Sequence, residues 1–179
     1  MLIVRYRFNI YLLTALASAA IFLCGCQMFS SGDPNDKIVS SLSLHIETHP
    51  DASELSSPVP IFREKPIMVN VEKDPFLTEA DISGAKLVEV MGGFALQIQF
   101  DERGTWTLEQ MTATNPGKRI AILSRFGPKF KEARWLAAPF ISRRISNGIL
   151  TFTPDASKEE SEKIILGLKN IVQKRIGKK

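Results

Sequence analysis

Phe94-Ala95-Leu96-Gln97-Ile98-Gln99-Phe100 alternates strictly, with Phe94, Leu96, Ile98 and Phe100 on one side and Ala95, Gln97 and Gln99 on the other. Successive side chains of an extended chain point to opposite faces, so this is a strand with one face buried. Just upstream, 85–90 is a second short β-rich run. Gly92-Gly93 between the two accepts the positive φ that a tight turn requires, which makes the pair a hairpin. Downstream, Asp101-Glu102-Arg103-Gly104 closes the strand and the period changes. Trp106, Leu108 and Met111 within 105–114 fit a helix, and Asn115-Pro116-Gly117 stops it, because proline lacks the donor and glycine takes a left-handed cap.

Working outward, 119–123 is a short apolar strand, 126–133 is a basic segment around Gly127-Pro128 that reads as a loop, and 138–141 and 149–152 are short strands joined through Asn147-Gly148. The last element is a helix over 157–175. Ser157 with Glu160 three residues on forms a capping box. Ile164, Leu168, Ile171 and Val172 then make one apolar stripe. Gly167 interrupts that helix at a cost of about 1 kcal/mol against Ala, and would let another element approach closely. Toward the N-terminus, 42–46 and 67–71 alternate as strands, while 50–60, with three prolines and three serines, reads as a loop. The expected fold class is α+β. A small antiparallel sheet containing 94–100, 119–123 and 149–152 is covered on one face by the two helices, through Leu108, Met111, Ile164, Leu168 and Ile171.

The segment before residue 26 is set apart from the fold. Arg5 and Arg7 form a positive start, Ile10 to Leu23 carries no charge, and the run ends in Leu23-Cys24-Gly25-Cys26. Fourteen helical residues reach about 21 Å, short of the roughly 30 Å of a bilayer core. Residues 1–25 therefore read as a signal peptide. The terminal tetrad resembles the lipobox of bacterial lipoproteins, which makes Cys26 the lipidated residue and the membrane a partner through its acyl chains. Gln27, where an Asp commonly retains a lipoprotein at the inner membrane, resembles the outer-membrane-directed class. Residues 26–37 are polar with Gly and Pro and read as a flexible tether.

Loss of Arg5 and Arg7 with the leader takes the net charge from +4 to +2, too close to neutral to point to nucleic acid. The histidines, His45 and His49, lie four residues apart in a strand-like segment. About 13 Å of extended chain separates them, too far for one zinc ion, and both are expected at exposed polar positions. G-x-S-x-G is absent, no phosphate-cradling glycine loop occurs, and Cys26 is occupied by lipid. No catalytic residues, metal site or cofactor are expected. The candidate partner-binding surface is the stretch that mixes aromatics with positive charge: Arg125, Phe126, Lys129, Phe130, Lys131, Arg134 and Trp135. Aromatic and Arg side chains are the types that most often anchor interfaces. The basic tail, 174–179 with Lys174, Arg175, Lys178 and Lys179, suits the negative end of the last helix.

Five short motifs fall in a recognisable order. They are Phe100-Asp101-Glu102-Arg103-Gly104 with Thr112 after it, Asn115-Pro116-Gly117-Lys118-Arg119-Ile120-Ala121-Ile122, Ala138-Pro139-Phe140-Ile141, Ile145-Ser146-Asn147-Gly148, and Phe152-Thr153 before Glu159-Glu160. From Asp81 to about Val172 this order resembles the head of the first periplasmic (P1) domain of SecD, in the SecDF preprotein translocase family. The resemblance implies a compact α+β head over 81–173, preceded by added strands in 38–80, that contacts translocating or unfolded polypeptide and supplies no catalytic residues. SecD's proton-driven membrane helices have no counterpart here, and the 125–135 insertion is longer than the family's usual loop. Two readings follow: a lipid-anchored module that binds polypeptide or a protein partner, accessory to export, or a structural envelope lipoprotein that docks a larger assembly without clients.

Overall fold

The computed structural model describes residues 38–50, 55–127 and 130–177; Cys26, the tether 26–37, Lys129, Lys178 and Lys179 lie outside them. In chain order the elements are β1 (Ser41–Ile46), β2 (Ser56–Ile61), β3 (Ile67–Glu72), β4 (Leu77–Thr78), a 3-10 turn (Glu79–Asp81), β5 (Ile82–Val90), β6 (Gly93–Phe100), α1 (Glu102–Thr114), β7 (Ile120–Phe126), β8 (Glu132–Ala137), β9 (Ile149–Phe152) and α2 (Lys158–Ile176).

The fold class is α+β, and every strand pairing is antiparallel. The strands divide among three sheets, ordered β4-β1-β7-β8, β2-β3 and β5-β6-β9. Residues 94–100 and 149–152 share a sheet as expected, but 120–126 belongs to another. The reason is visible in β7, which is buried on both faces. Ile120 and Ile122 join the main core with Leu42, Leu44, Ile98, Leu108 and Ile164, whereas Ala121 joins a second cluster with Val59, Ile61, Val69, Val71 and Ala138. The β2-β3 hairpin therefore covers the face of the β1-β7 sheet that its alternating polar residues assign to water.

Several elements depart from the sequence reading. The loop assigned to 50–60 contains β2, in which Val59 and Ile61 are buried while Pro58 and Pro60 are exposed. Two prolines two residues apart lack a donor on the same edge, and β2 pairs with β3 alone, so its other edge needs none. The hairpin turn sits one residue earlier than Gly92-Gly93: Val90 pairs with Gly93, and only Gly92 takes a positive φ, of 85°. Helix α1 begins at Glu102, because the Asp101 carboxylate accepts from the Gly104 amide at 2.9 Å and caps it. Residues 138–141 form no strand but a single bridge, Arg119 to Phe140.

Helix α2 follows the sequence reading closely. Both halves of the capping box form, the Glu160 amide to Ser157 Oγ at 3.1 Å and the Ser157 amide to Glu160 Oε2 at 2.8 Å. Ile164, Ile165, Leu168 and Val172 are buried in the main core. Ile171 and, on α1, Met111 are only half-buried. Gly167 is where Val39 and Ser40 cross the helix: a Cβ there would lie 2.3 Å from Ser40 Oγ and 2.6 Å from the Ser40 nitrogen. Asn170 holds the same segment by donating to the Ile38 carbonyl at 2.9 Å.

Candidate functional site

The basic aromatic segment is a β-hairpin rather than a projecting loop. Arg125 and Phe126 end β7, Arg134 and Trp135 lie in β8, and Phe126 pairs with Glu132 across the ladder. Gly127 at φ 78° and Phe130 at φ 55° turn the chain, with the Phe130 amide donating to the Gly127 carbonyl at 3.2 Å. The alternation of a strand then sorts the candidate residues. Phe126 is buried in the main core and Trp135 packs against the second cluster. Arg125, Phe130 and Lys131 remain exposed, Phe130 at 40%.

Arg134 is committed to the fold's own ion pair. Its two terminal nitrogens donate to the two Glu160 oxygens, each at 3.0 Å, and its guanidinium lies 5.4 Å from the Phe126 ring centroid. Such a bidentate pair is stronger than a single contact. Glu160 accepts these bonds as well as the capping bond from Ser157, and together they hold its carboxyl down at about 2. The same bond to Glu160 raises the Arg134 guanidinium above its ordinary value. Arg63, in the β2-β3 loop, donates from its backbone to Asp155 at 2.8 Å and approaches Glu160 at 4.0 Å. The cluster thus ties the β2-β3 loop, β8 and the start of α2 together. Phe62, beside Arg63 in sequence, is 40% exposed and held at φ 72°.

His45 is buried at 6%, a correction to the exposed position expected for it. Its Nδ1 donates to the Glu72 carbonyl at 2.8 Å, and the Ser43 hydroxyl meets Nε2 at 3.0 Å. The ring stands edge-on to Trp135, 5.2 Å between centroids. The second hydrophobic layer explains this burial. His49 is exposed. No group of three or more metal-ligating side chains occurs among the described residues, and no described helix is long and apolar enough to cross a membrane.

The short motifs prove to be structural joints. A Cβ on Gly104 would come within 2.9 Å of the Asp81 carbonyl and 3.0 Å of Phe100 Cβ. The buried Thr112 hydroxyl donates to the Leu108 carbonyl at 2.8 Å and accepts from the Ile145 amide at 2.9 Å. Gly148, at φ 66°, lies so close to Thr105 that a Cβ would fall 2.1 Å from its Oγ1. Gly117 and Lys118 exchange backbone bonds with Ile141, and the Ile120 amide donates to the Pro139 carbonyl.

One concave feature escaped the sequence reading. A groove of about 660 Å³ beside β9 is lined by Ile149, Leu150 and Thr151 together with Phe140, Arg143 and Arg144. Phe140 is 60% exposed, with the Arg119 guanidinium 4.1 Å from its ring centroid. Arg144 pairs with Glu109, whereas Arg143 has no ion-pair partner among the described residues. No sequence signal marks this groove, because its lining joins β9 to the separate segment 139–147, and their proximity is not recorded along the chain.

Comparison with known proteins places these features in a family. The family model of the SecDF P1 head subdomain matches residues 56–170. A solved structure of SecDF, a membrane component that enhances protein export, superposes with a TM-score of 0.53 at 22% identity, over 75% of this chain and 64% of that one. SecDF in its super-membrane-facing form (TM-score 0.47, 16% identity, 90% of this chain and 33% of that one) and SecDF from Thermus thermophilus, a translocon-associated membrane protein (0.40, 15%, 92% and 34%), are more distantly similar. The chain thus spans less than two thirds of the length of these SecDF chains. No curated protein matches it.

Proposed function

The chain belongs to the SecDF P1 head subdomain family, and from that premise we propose that it is a lipid-anchored envelope protein whose periplasm-facing domain binds polypeptide or a protein partner as an accessory to protein export. The observation that carries this reading is the family match over 56–170, and the motifs that resemble the family serve as joints of the fold. The anchor is the acyl-modified Cys26, and Gln27 after it favours the outer membrane. The domain does no bond-breaking chemistry in this reading. Exposed aromatic and basic side chains, Phe62, Arg125, Phe130 and Lys131, supply contact area without a catalytic constellation.

Two experiments test it. Mass spectrometry of the mature N-terminus should find an acylated Cys26, and an intact Met1 or an unmodified cysteine overturns the anchor. A photo-crosslinking residue at Phe130 should trap many different precursor chains while export is under way and few once it is blocked upstream. A single stoichiometric folded partner, trapped regardless of export, overturns client binding and favours the docking reading.

A further inference from the structure

We propose that the outer edge of β9 is a strand-addition site, in which an extended, carboxylate-bearing polypeptide segment lies in the β9 groove as a fourth strand. This deepens the polypeptide-binding reading above and rests on it.

The ladder itself identifies the free groups. β9 pairs with β6 in the register Gln99 to Ile149, Ile98 to Leu150 and Gln97 to Thr151, and the Phe100 amide donates to the Gly148 carbonyl at 2.9 Å. In an antiparallel pair, hydrogen-bonded and non-hydrogen-bonded residues alternate. Gly148 and Leu150 therefore face β6, and the backbone groups of Ile149 and Thr151 point away from it, into the groove. The Ile149 amide is already met by Asn147 Oδ1 at 3.1 Å. The Ile149 carbonyl and both the amide and the carbonyl of Thr151 have no partner among the described residues.

Those three groups form one repeat of a ladder. A residue opposite Thr151 exchanges two hydrogen bonds with it, and the residue two positions away donates to the Ile149 carbonyl. A sheet edge left open in this way is a template for another chain unless it is blocked, and main-chain pairing accepts many sequences, as an unfolded client requires. Four residues of extended chain span about 13 Å, matching the four residues of β9. Charge selects the kind of segment. The lining also carries Arg143, without an ion-pair partner among the described residues, and Arg144, which pairs with Glu109, while Arg119 lies over Phe140. Carboxylates on the incoming strand meet positive charge there.

The test uses the full-length protein in detergent and fluorescence anisotropy with a labelled ten-residue peptide alternating valine and glutamate. Thr151→Pro removes the outward amide and leaves the β6 ladder intact, since the bonded residues are Leu150 and Phe152. It should weaken binding about tenfold, whereas Thr151→Val, which keeps the amide, should bind as the parent does. Arg143→Glu should weaken the glutamate peptide more than a valine-threonine one. With the unaltered protein, a peptide N-methylated at every residue, and so without a donor on either edge, should not bind, which holds the proposal to account even where Thr151→Pro does not fold. Equal binding by folded Thr151→Pro, or by the N-methylated peptide, overturns the strand-addition site while leaving polypeptide binding standing elsewhere. No binding of any extended peptide by the parent protein overturns the polypeptide reading itself.

Discussion

Gly167→Ala should destabilise the domain, although an interior helical Gly→Ala change ordinarily stabilises by about 1 kcal/mol. The sign turns on what the new methyl group meets. Its Cβ would lie 2.3 Å from Ser40 Oγ, 2.6 Å from the Ser40 nitrogen and 2.7 Å from the Val39 carbonyl carbon. Two of these three are backbone atoms, so the hydroxyl's rotation alone does not relieve the overlap, and the crossing segment must lift from α2. Overpacking of this kind costs about 1–3 kcal/mol, and lifting the segment also endangers the Asn170 bond to the Ile38 carbonyl, worth about 1 kcal/mol. Set against the gain in helix propensity, the net loss is about 1–3 kcal/mol. For a domain of this size that lowers Tm by about 3–10 °C. Urea unfolding followed by circular dichroism measures it, with Gly93→Ala, which meets nothing within 4 Å, as the control for a methyl group placed in open space. A Gly167→Ala protein more stable than the parent would refute the close crossing and return residues 38–40 to solvent.

Leu168 is 1% exposed in the main core, so Leu168→Ala should cost about 2–5 kcal/mol, and a tolerated Leu168→Asp would show that the α2 stripe faces water. Arg134→Met should cost about 1–3 kcal/mol at neutral pH by leaving Glu160 without its bidentate partner. Because the folded Glu160 carboxyl is held at about 2, below its ordinary value of 4.5, its contribution is fully present above about pH 4.5 and is lost as pH falls toward 2. The stability gap between parent and Arg134→Met should narrow across that window, and a gap constant from pH 7 to pH 2 contradicts the ion pair. Thr112→Val keeps the shape but strands the Ile145 amide and should cost about 1–3 kcal/mol; unchanged urea unfolding contradicts that bond.

Helix α2, the β5-β6 hairpin, β1, β3 and β9 were all legible in the residues, because each carries its own period or cap. Ser157 and Glu160 alone locate the start of α2, and Gly167 inside an apolar stripe foretells a close crossing without saying what crosses. The α+β class follows from the same local patterns, and the family resemblance from five motifs whose glycines and threonine prove to be contact points. What local pattern does not carry is which strands share a sheet. Ala121 and His45 lie on the faces of β7 and β1 that alternation assigns to water, and they are buried only because the β2-β3 hairpin folds over them. Pro58 and Pro60 disguise β2 as a loop, and nothing short of its pairing with β3 alone shows that an edge can do without their donors. The candidate surface divides for the same reason. Phe126, Arg134 and Trp135 turn inward once β8 pairs with β7, leaving Arg125, Phe130 and Lys131 outside. The β9 groove exists only where a four-residue edge, the 139–147 segment and its arginines meet. Burial and open hydrogen-bonding edges are properties of pairs of distant segments, and one-dimensional periodicity records only a residue's neighbours along the chain.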